Sequence, residues 1–162
     1  MQKYQSYIKT FYILILGFVF SGTLILGAIV APVVFHSSEF ISNVALTRFE
    51  NGELMSEIFR RFSMILNIAI LLIVAMEAMN YKKFFNNMIY VLVLIVFVVS
   101  SLLFSFYFTS IILEILHAGE AVINQNIDGF ETLHKLSEYD FSVIMISSLA
   151  MLIYKISTYC AD

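Results

Sequence analysis

The chain is poor in charge, in cysteine and in proline, and each scarcity excludes something. Charged residues make up 13% of the 162 residues, where soluble domains carry about a quarter. A soluble protein of this length could not hide the 60% of residues that are hydrophobic, so the apolar solvent is expected to be lipid. The single cysteine, Cys160, excludes an internal disulfide. The single proline, Pro32, leaves the rest of the chain free to form long uninterrupted helices. A net charge of -3 gives no attraction for nucleic acid. No Gly-rich phosphate loop, paired-cysteine zinc spacing, low-complexity tract, internal repeat or nucleophile-and-base set is visible. Whether the chain is an enzyme is therefore left open, with the reading leaning against it.

What the chain does have is uncharged length. Such runs extend from Thr10 to Phe35, from Phe62 to Met76, from Phe84 to Leu113 and from Phe141 to Tyr154. About 20 apolar residues, rising about 1.5 Å each, cross a bilayer. The first and third runs qualify outright. The second reaches full length with Ile58 and Phe59, the fourth with Tyr139 and residues 156–159. Arg60, Arg61 and Lys155 would then snorkel to the headgroups. The expected fold is all-α, an integral membrane four-helix bundle forming one domain over 1–162. Its expected spans are about 10–35, 58–79, 84–113 and 139–159. The rival is a three-span protein with an interfacial C-terminal helix. Lys3, Lys9 and Ile29-Val30-Ala31 resemble a signal peptide with its cleavage site. The apolar run is too long for a signal core of roughly 7–15 residues, so it is expected to be retained.

Basic residues set orientation. Lys3, Lys9, Lys82, Lys83 and Lys155 fall on one side; Arg48, Arg60, Arg61 and Lys135 fall on the other. The short Asn80–Asn87 hairpin, with Lys82 and Lys83 close to the membrane, weighs most. Both termini are expected in the cytoplasm, in a bacterial inner membrane. Ten of the twelve acids, Asp140 among them, then lie on the outer side. Small residues at Gly17 and Ser21, Gly27 and Ala31, and Ser101, Ser105 and Thr109 offer close helix approach in lipid. Pro32 deprives the Ala28 carbonyl of its partner and is expected to kink or end the first helix. Asn67 is expected to bond to a neighbouring helix.

The segments Gly27-Ala28-Ile29-Val30-Ala31-Pro32-Val33-Val34-Phe35, Leu46-Thr47-Arg48-Phe49-Glu50-Asn51-Gly52-Glu53-Leu54-Met55 and Ile58-Phe59-Arg60-Arg61-Phe62 resemble the bacterial domain-of-unknown-function family 4149. Its eukaryotic relatives resemble transmembrane protein 205. The family is similar in plan to the copper-resistance D superfamily. The resemblance covers about the first 65 residues and implies a four-helix membrane fold. In that fold Ala-Pro-x-x-Phe ends the first helix, and Gly52 to Phe59 opens the second. It implies no activity.

Candidate chemistry gathers on the outer side, with His36, His117 and His134. Glu114 and Glu120 flank His117 at spacings of three, which places them on one helical face. A metal ion on His36, His117 and Glu114 is one reading, since imidazole and carboxylate together suit copper, zinc, iron or manganese. Met55 and Met64 would add soft ligands. Two Glu-x-x-His pairs, Glu114–His117 and Glu131–His134, with Glu39 and Glu57, match the di-metal pattern, but Glu131–His134 is placed in a loop. Haem between His36 and His117 is a third option. The plainest alternative is that these groups only keep the outer loops wet. Arg60 and Arg61 at a helix N-terminus oppose its dipole and call for a partner: Glu57, Glu114, a lipid phosphate or an anionic ligand. Glu77 is expected to reach the headgroups near Lys82 or Lys83, with nothing in its half to complete a proton relay.

Three functions compete: a membrane protein binding a metal or haem at its outer face, an accessory or structural subunit of a larger membrane complex, and a small transporter. The expected partners are the lipid bilayer, a membrane protein or further copies of the chain. Nucleic acid is not among them. Almost no charge falls at mid-membrane, which ranks the transporter last.

Overall fold

The computed structural model describes residues 2–40, 46–79 and 87–161. The Lys82 and Lys83 hairpin lies outside them. Four helices are long and apolar enough to cross a membrane: Ser6–Phe35, Phe49–Met79, Met88–Ala118 and Ile127–Cys160. They are called the first to fourth helices below. Among the described residues there is no strand, so the chain is an all-α bundle.

Local chemistry fixes the helix starts. Before the second helix, the Thr47 amide donates to Glu50 Oε2 at 2.7 Å and the Glu50 amide to Thr47 Oγ1 at 3.2 Å. This reciprocal capping box satisfies donors that a helix start leaves unpaired. Asn87 Oδ1 accepts from the amides of Ile89 and Tyr90 and opens the third helix. Asn126 Oδ1 does the same for Gly129 at the start of the fourth. The third helix stops at Gly119, whose φ of 98° and ψ of 165° suit glycine alone. A Cβ there would meet open space, so strain is the only penalty. Gly119→Ala should cost about 1–3 kcal/mol, read as a lowered unfolding midpoint in detergent. An unchanged midpoint would show that the turn relaxes freely.

Two helices widen into π segments, Leu26–Val30 in the first and Leu103–Phe108 in the third. Pro32 has no amide to give Ala28. The first helix loosens just before it, the Ala31 amide reaching the Leu26 carbonyl, and then runs on to Phe35. In the third helix the Thr109 amide and Thr109 Oγ1, the latter at 2.8 Å, both donate to the Phe104 carbonyl. π segments re-aim the side chains around them and are frequent at functional sites.

The core runs the length of the bundle. Leu16 and Val19, Leu66 and Ile73, Phe97 and Phe104, and Ile144 and Met151 come from the four helices in turn. The fourth helix packs along the first and the third, so it belongs to the bundle and is no interfacial appendage. The outward face is apolar as well, with Phe18, Leu71, Ile95 and Ile146 exposed. That pattern suits a lipid surround. Ser101, Ser105 and Thr109 face inward as the small-residue spacing predicts. Gly17 does not: a Cβ there meets nothing, and Ser21 turns back to the Gly17 carbonyl at 2.7 Å. The close approach falls at Gly22, where a Cβ would lie 2.9 Å from the Phe62 ring.

Tyr12, early in the first helix, meets Glu77 late in the second and Tyr90 early in the third, and Glu77 meets Lys155 late in the fourth. The helices therefore alternate in direction, and both termini lie at one end of the bundle. That end is called the termini end below, and the opposite one the far end.

Candidate functional site

The expected metal residues belong to no metal-holding group among the described residues. His36 is exposed, and its Nδ1 lies 2.9 Å from the Pro32 carbonyl of its own helix end. Glu114 and His117 are exposed on the last turns of the third helix. None of the three lines a cavity. Among the described residues no group of three or more His, Cys, Asp or Glu side chains is arranged to hold a metal ion. Arg60 and Arg61 have the plain partner: Arg60 Nε and Nη2 grip Glu57 at 2.6 and 2.8 Å, and Arg61 Nε adds a third bond at 2.8 Å. The second helix starts at Phe49, so Arg60 and Arg61 stand well inside it and not at the helix N-terminus the sequence predicted, and this fork holds their charge together there.

The Glu131–His134 pair lies not in a loop but on the first turns of the fourth helix. His134 sits edge-on to Phe35 at 5.9 Å, with Nε2 3.3 Å from Glu138 Oε1. It lies on the wall shared by two far-end cavities of 380 and 320 Å³. Phe35, Phe59, Phe104, Ser137 and Glu138 complete that wall. The larger cavity runs between the second, third and fourth helices, with Met55, Phe108 and Phe130 inside and Glu120, Glu131 and Lys135 among its polar lining. The smaller one follows the first helix along its π segment, past Gly27 and Ala28. Both π segments thus contribute to cavity walls.

Residues 14–121 match the domain of unknown function DUF4149. The chain belongs to that family. No curated protein and no solved structure matches it. The DUF4149 segment holds the first three helices almost whole. The fourth, which supplies His134 and Glu138, lies beyond it.

A second polar site lies inside this DUF4149 protein, near the termini end, where the sequence predicted only snorkelling. Glu77 is 4% exposed and does not reach out to the headgroups. Its Oε1 accepts from Tyr12 Oη at 2.6 Å, Tyr90 Oη at 2.5 Å and Lys155 Nζ at 2.7 Å. The two hydroxyls lie 2.9 Å apart. Lys155 is turned inward as well, its side chain 12% exposed. Its Nζ stands 4.5 Å from the Tyr90 ring centre and 4.9 Å from that of Tyr12. Tyr154 stacks on Tyr90 at 4.6 Å. Each of the four helices contributes one residue to this clasp. A charge withdrawn from water needs a partner of opposite sign and full hydrogen bonding, which explains why both groups face inward together.

Two further polar groups depart from expectation. Asp140, counted among the outer acids, sits within the fourth helix and bonds to Ser100 of the third. Its Oδ2 is buried without a hydrogen-bond partner. Asn67 Oδ1 is likewise buried and unbonded, where a bond to a neighbouring helix was expected.

Proposed function

We propose that this chain is a ligand-binding membrane protein whose far-end cavities take a cationic amphiphile, an aromatic or alkyl body carrying one positive centre. The observation that carries the reading is the pair of adjoining cavities with a common wall of Phe35, Phe59, Phe104, His134, Ser137 and Glu138. Small-molecule sites are concave and mostly apolar, with a few polar groups fixing orientation. Aromatic faces attract cations. The carboxylates of Glu120, Glu131 and Glu138 outnumber the one lysine, Lys135, in the larger cavity, which favours a positive ligand. The lysine distribution supports cytoplasmic termini in a bacterial inner membrane, so that the far end faces outward. Arg61, whose side chain is 75% exposed, remains within reach of lipid phosphate. The likeness in plan to copper-resistance D proteins would favour a metal, yet no group of three or more His, Cys, Asp or Glu among the described residues supports a metal ion.

Two probes of one shape and opposite charge test the reading. Tetraphenylphosphonium should bind the detergent-purified protein saturably by calorimetry, and tetraphenylborate should not. Glu138→Gln should weaken the cation about two- to fivefold, the scale of a partly solvated charge pair. Equal binding of both probes, or of neither, would sink the proposal.

A further inference from the structure

We propose that the smaller far-end cavity is a side entrance from the bilayer, where the alkyl tail of a membrane-dissolved cationic amphiphile slides between the first and fourth helices. The proposal rests on the cavity reading above and narrows its ligand to long-chain amines and quaternary ammonium amphiphiles. Apart from Phe59 and Phe104 of the common wall, the first and fourth helices supply the whole lining of this cavity. Its mouth lies on the bundle surface: Leu24, Gly27 and Ala28 on one side and Ser142 on the other are exposed. Its floor is not, for Thr23 and Phe141 are buried. At about 1.5 Å per residue, Thr23 and Ala31 stand about 16 and 28 Å along the first helix from Tyr12 of the clasp. The hydrocarbon layer is about 30 Å thick, so the mouth opens on the acyl chains of the far-end leaflet.

Side-chain chemistry grades the cavity from apolar to polar. Every hydroxyl in its lining turns back on its own helix. Thr23 Oγ1 donates to the Val19 and Phe20 carbonyls at 3.0 and 2.9 Å, Ser142 Oγ to the Glu138 carbonyl at 2.9 Å, and Ser137 Oγ to the His134 carbonyl at 2.6 Å. That leaves the His134 ring and the Glu138 carboxylate as the polar side-chain groups open to a ligand. Both stand toward one end of the cavity, and Met145 toward the other, two helical turns or about 10 Å from Glu138. A cation beside Glu138 with a chain running down to Met145 satisfies both regions at once. Gly27 keeps the mouth open. The sequence offered Gly27 and Ala31 for close helix approach, yet Gly27 is exposed, and a Cβ there would lie 3.7 Å from the Phe141 ring. A methyl group fits at that distance. A longer side chain would grow into the cavity and close it.

The test uses the full chain in phosphatidylglycerol nanodiscs, whose lipid carries no cationic centre. The probe is hexadecyltrimethylammonium with a photoreactive diazirine midway along its chain, and mass spectrometry locates the adducts. Any dissolved tail labels the lipid-facing Leu71 and Ile95, whereas only a tail inside the cavity reaches Phe141, which is 6% exposed. Adducts at Phe141 and Met145 should fall to background under an excess of unlabelled amphiphile, while those at Leu71 and Ile95 hold. Gly27→Ala should keep the competed adducts, and Gly27→Leu should lose them. Absence of adducts at Phe141 and Met145, or adducts there that the unlabelled amphiphile does not reduce, would overturn the proposal without any variant having to fold. So would a Gly27→Leu protein labelled as wild type is. Either result beside saturable tetraphenylphosphonium binding strikes the side entrance alone, whereas a wild-type protein that does not bind tetraphenylphosphonium strikes the cavity reading itself.

Discussion

Glu77→Leu is expected to destabilise the bundle by about 3–5 kcal/mol, the cost of leaving one partner of a buried ion pair behind. The substitution keeps an apolar side chain of similar reach, so little of the loss comes from volume. What it strands is Lys155, a cation whose side chain is 12% exposed. Tyr12 and Tyr90 lose their common acceptor, though their hydroxyls stay 2.9 Å apart. Lys155→Met should cost less, because the carboxyl left behind still accepts from both tyrosine hydroxyls. The double variant Glu77→Leu with Lys155→Met should recover most of the stability, since replacing both members of a buried pair by apolar groups is often neutral. Unfolding in mixed sodium dodecyl sulfate and dodecylmaltoside, followed by circular dichroism, gives the cycle. A double variant no more stable than Glu77→Leu alone would mean that the two residues do not act as a pair.

The bundle was legible from hydropathy because its determinants are local. Twenty or so uncharged residues form a helix in lipid whatever their neighbours are, since unpaired backbone groups have no water to turn to. The helix ends were less legible. Phe49 to Glu57 and Ile127 to Glu138 carry charge at intervals, and hydropathy trims them, yet both stretches are helical in the structure. They bring Gly52 and Met55, and His134 with Glu138, to the far-end cavities. The Glu131–His134 spacing was visible in the sequence but was placed in a loop, so the meeting of His134 with Phe35 was not.

The clasp at Glu77 was illegible for a different reason. Its residues have no common motif. Tyr12 is 65 residues from Glu77, and Tyr90 is 13 residues beyond it. Each tyrosine alone looks like ordinary membrane lining, and Lys155 looks like a snorkelling helix end. Only the alternation of helix directions places early residues of the first and third helices at the level of late residues of the second and fourth. One signal was available. In a four-helix alternating bundle, one acid and one base set just past the ends of the second and fourth uncharged runs, at Met76 and Tyr154, are candidates for each other.

Phe104→Ala is expected to open the two far-end cavities into one and to weaken tetraphenylphosphonium about tenfold. Phe104 is 2% exposed, and its ring lies 5.4 Å from that of Phe59 and 4.9 Å from that of Phe141. It stands on the wall common to both cavities and belongs to the π segment of the third helix. Truncating a buried Phe in a soluble core costs about 3–5 kcal/mol. In lipid the transfer part shrinks, because acyl chains are as apolar as the core, and lost packing remains. A cost of about 2–3 kcal/mol follows for this bundle. The loss of affinity has a separate origin, the removal of an aromatic face that a cation can approach. Phe104→Leu separates the two effects. Leucine fills much of the volume without offering a ring face, so stability should return toward wild type while the affinity stays low. A Phe104→Leu protein that binds the cation as tightly as wild type would reduce Phe104 to a spacer and move the recognition to Phe35 and Phe59, the other rings on the common wall.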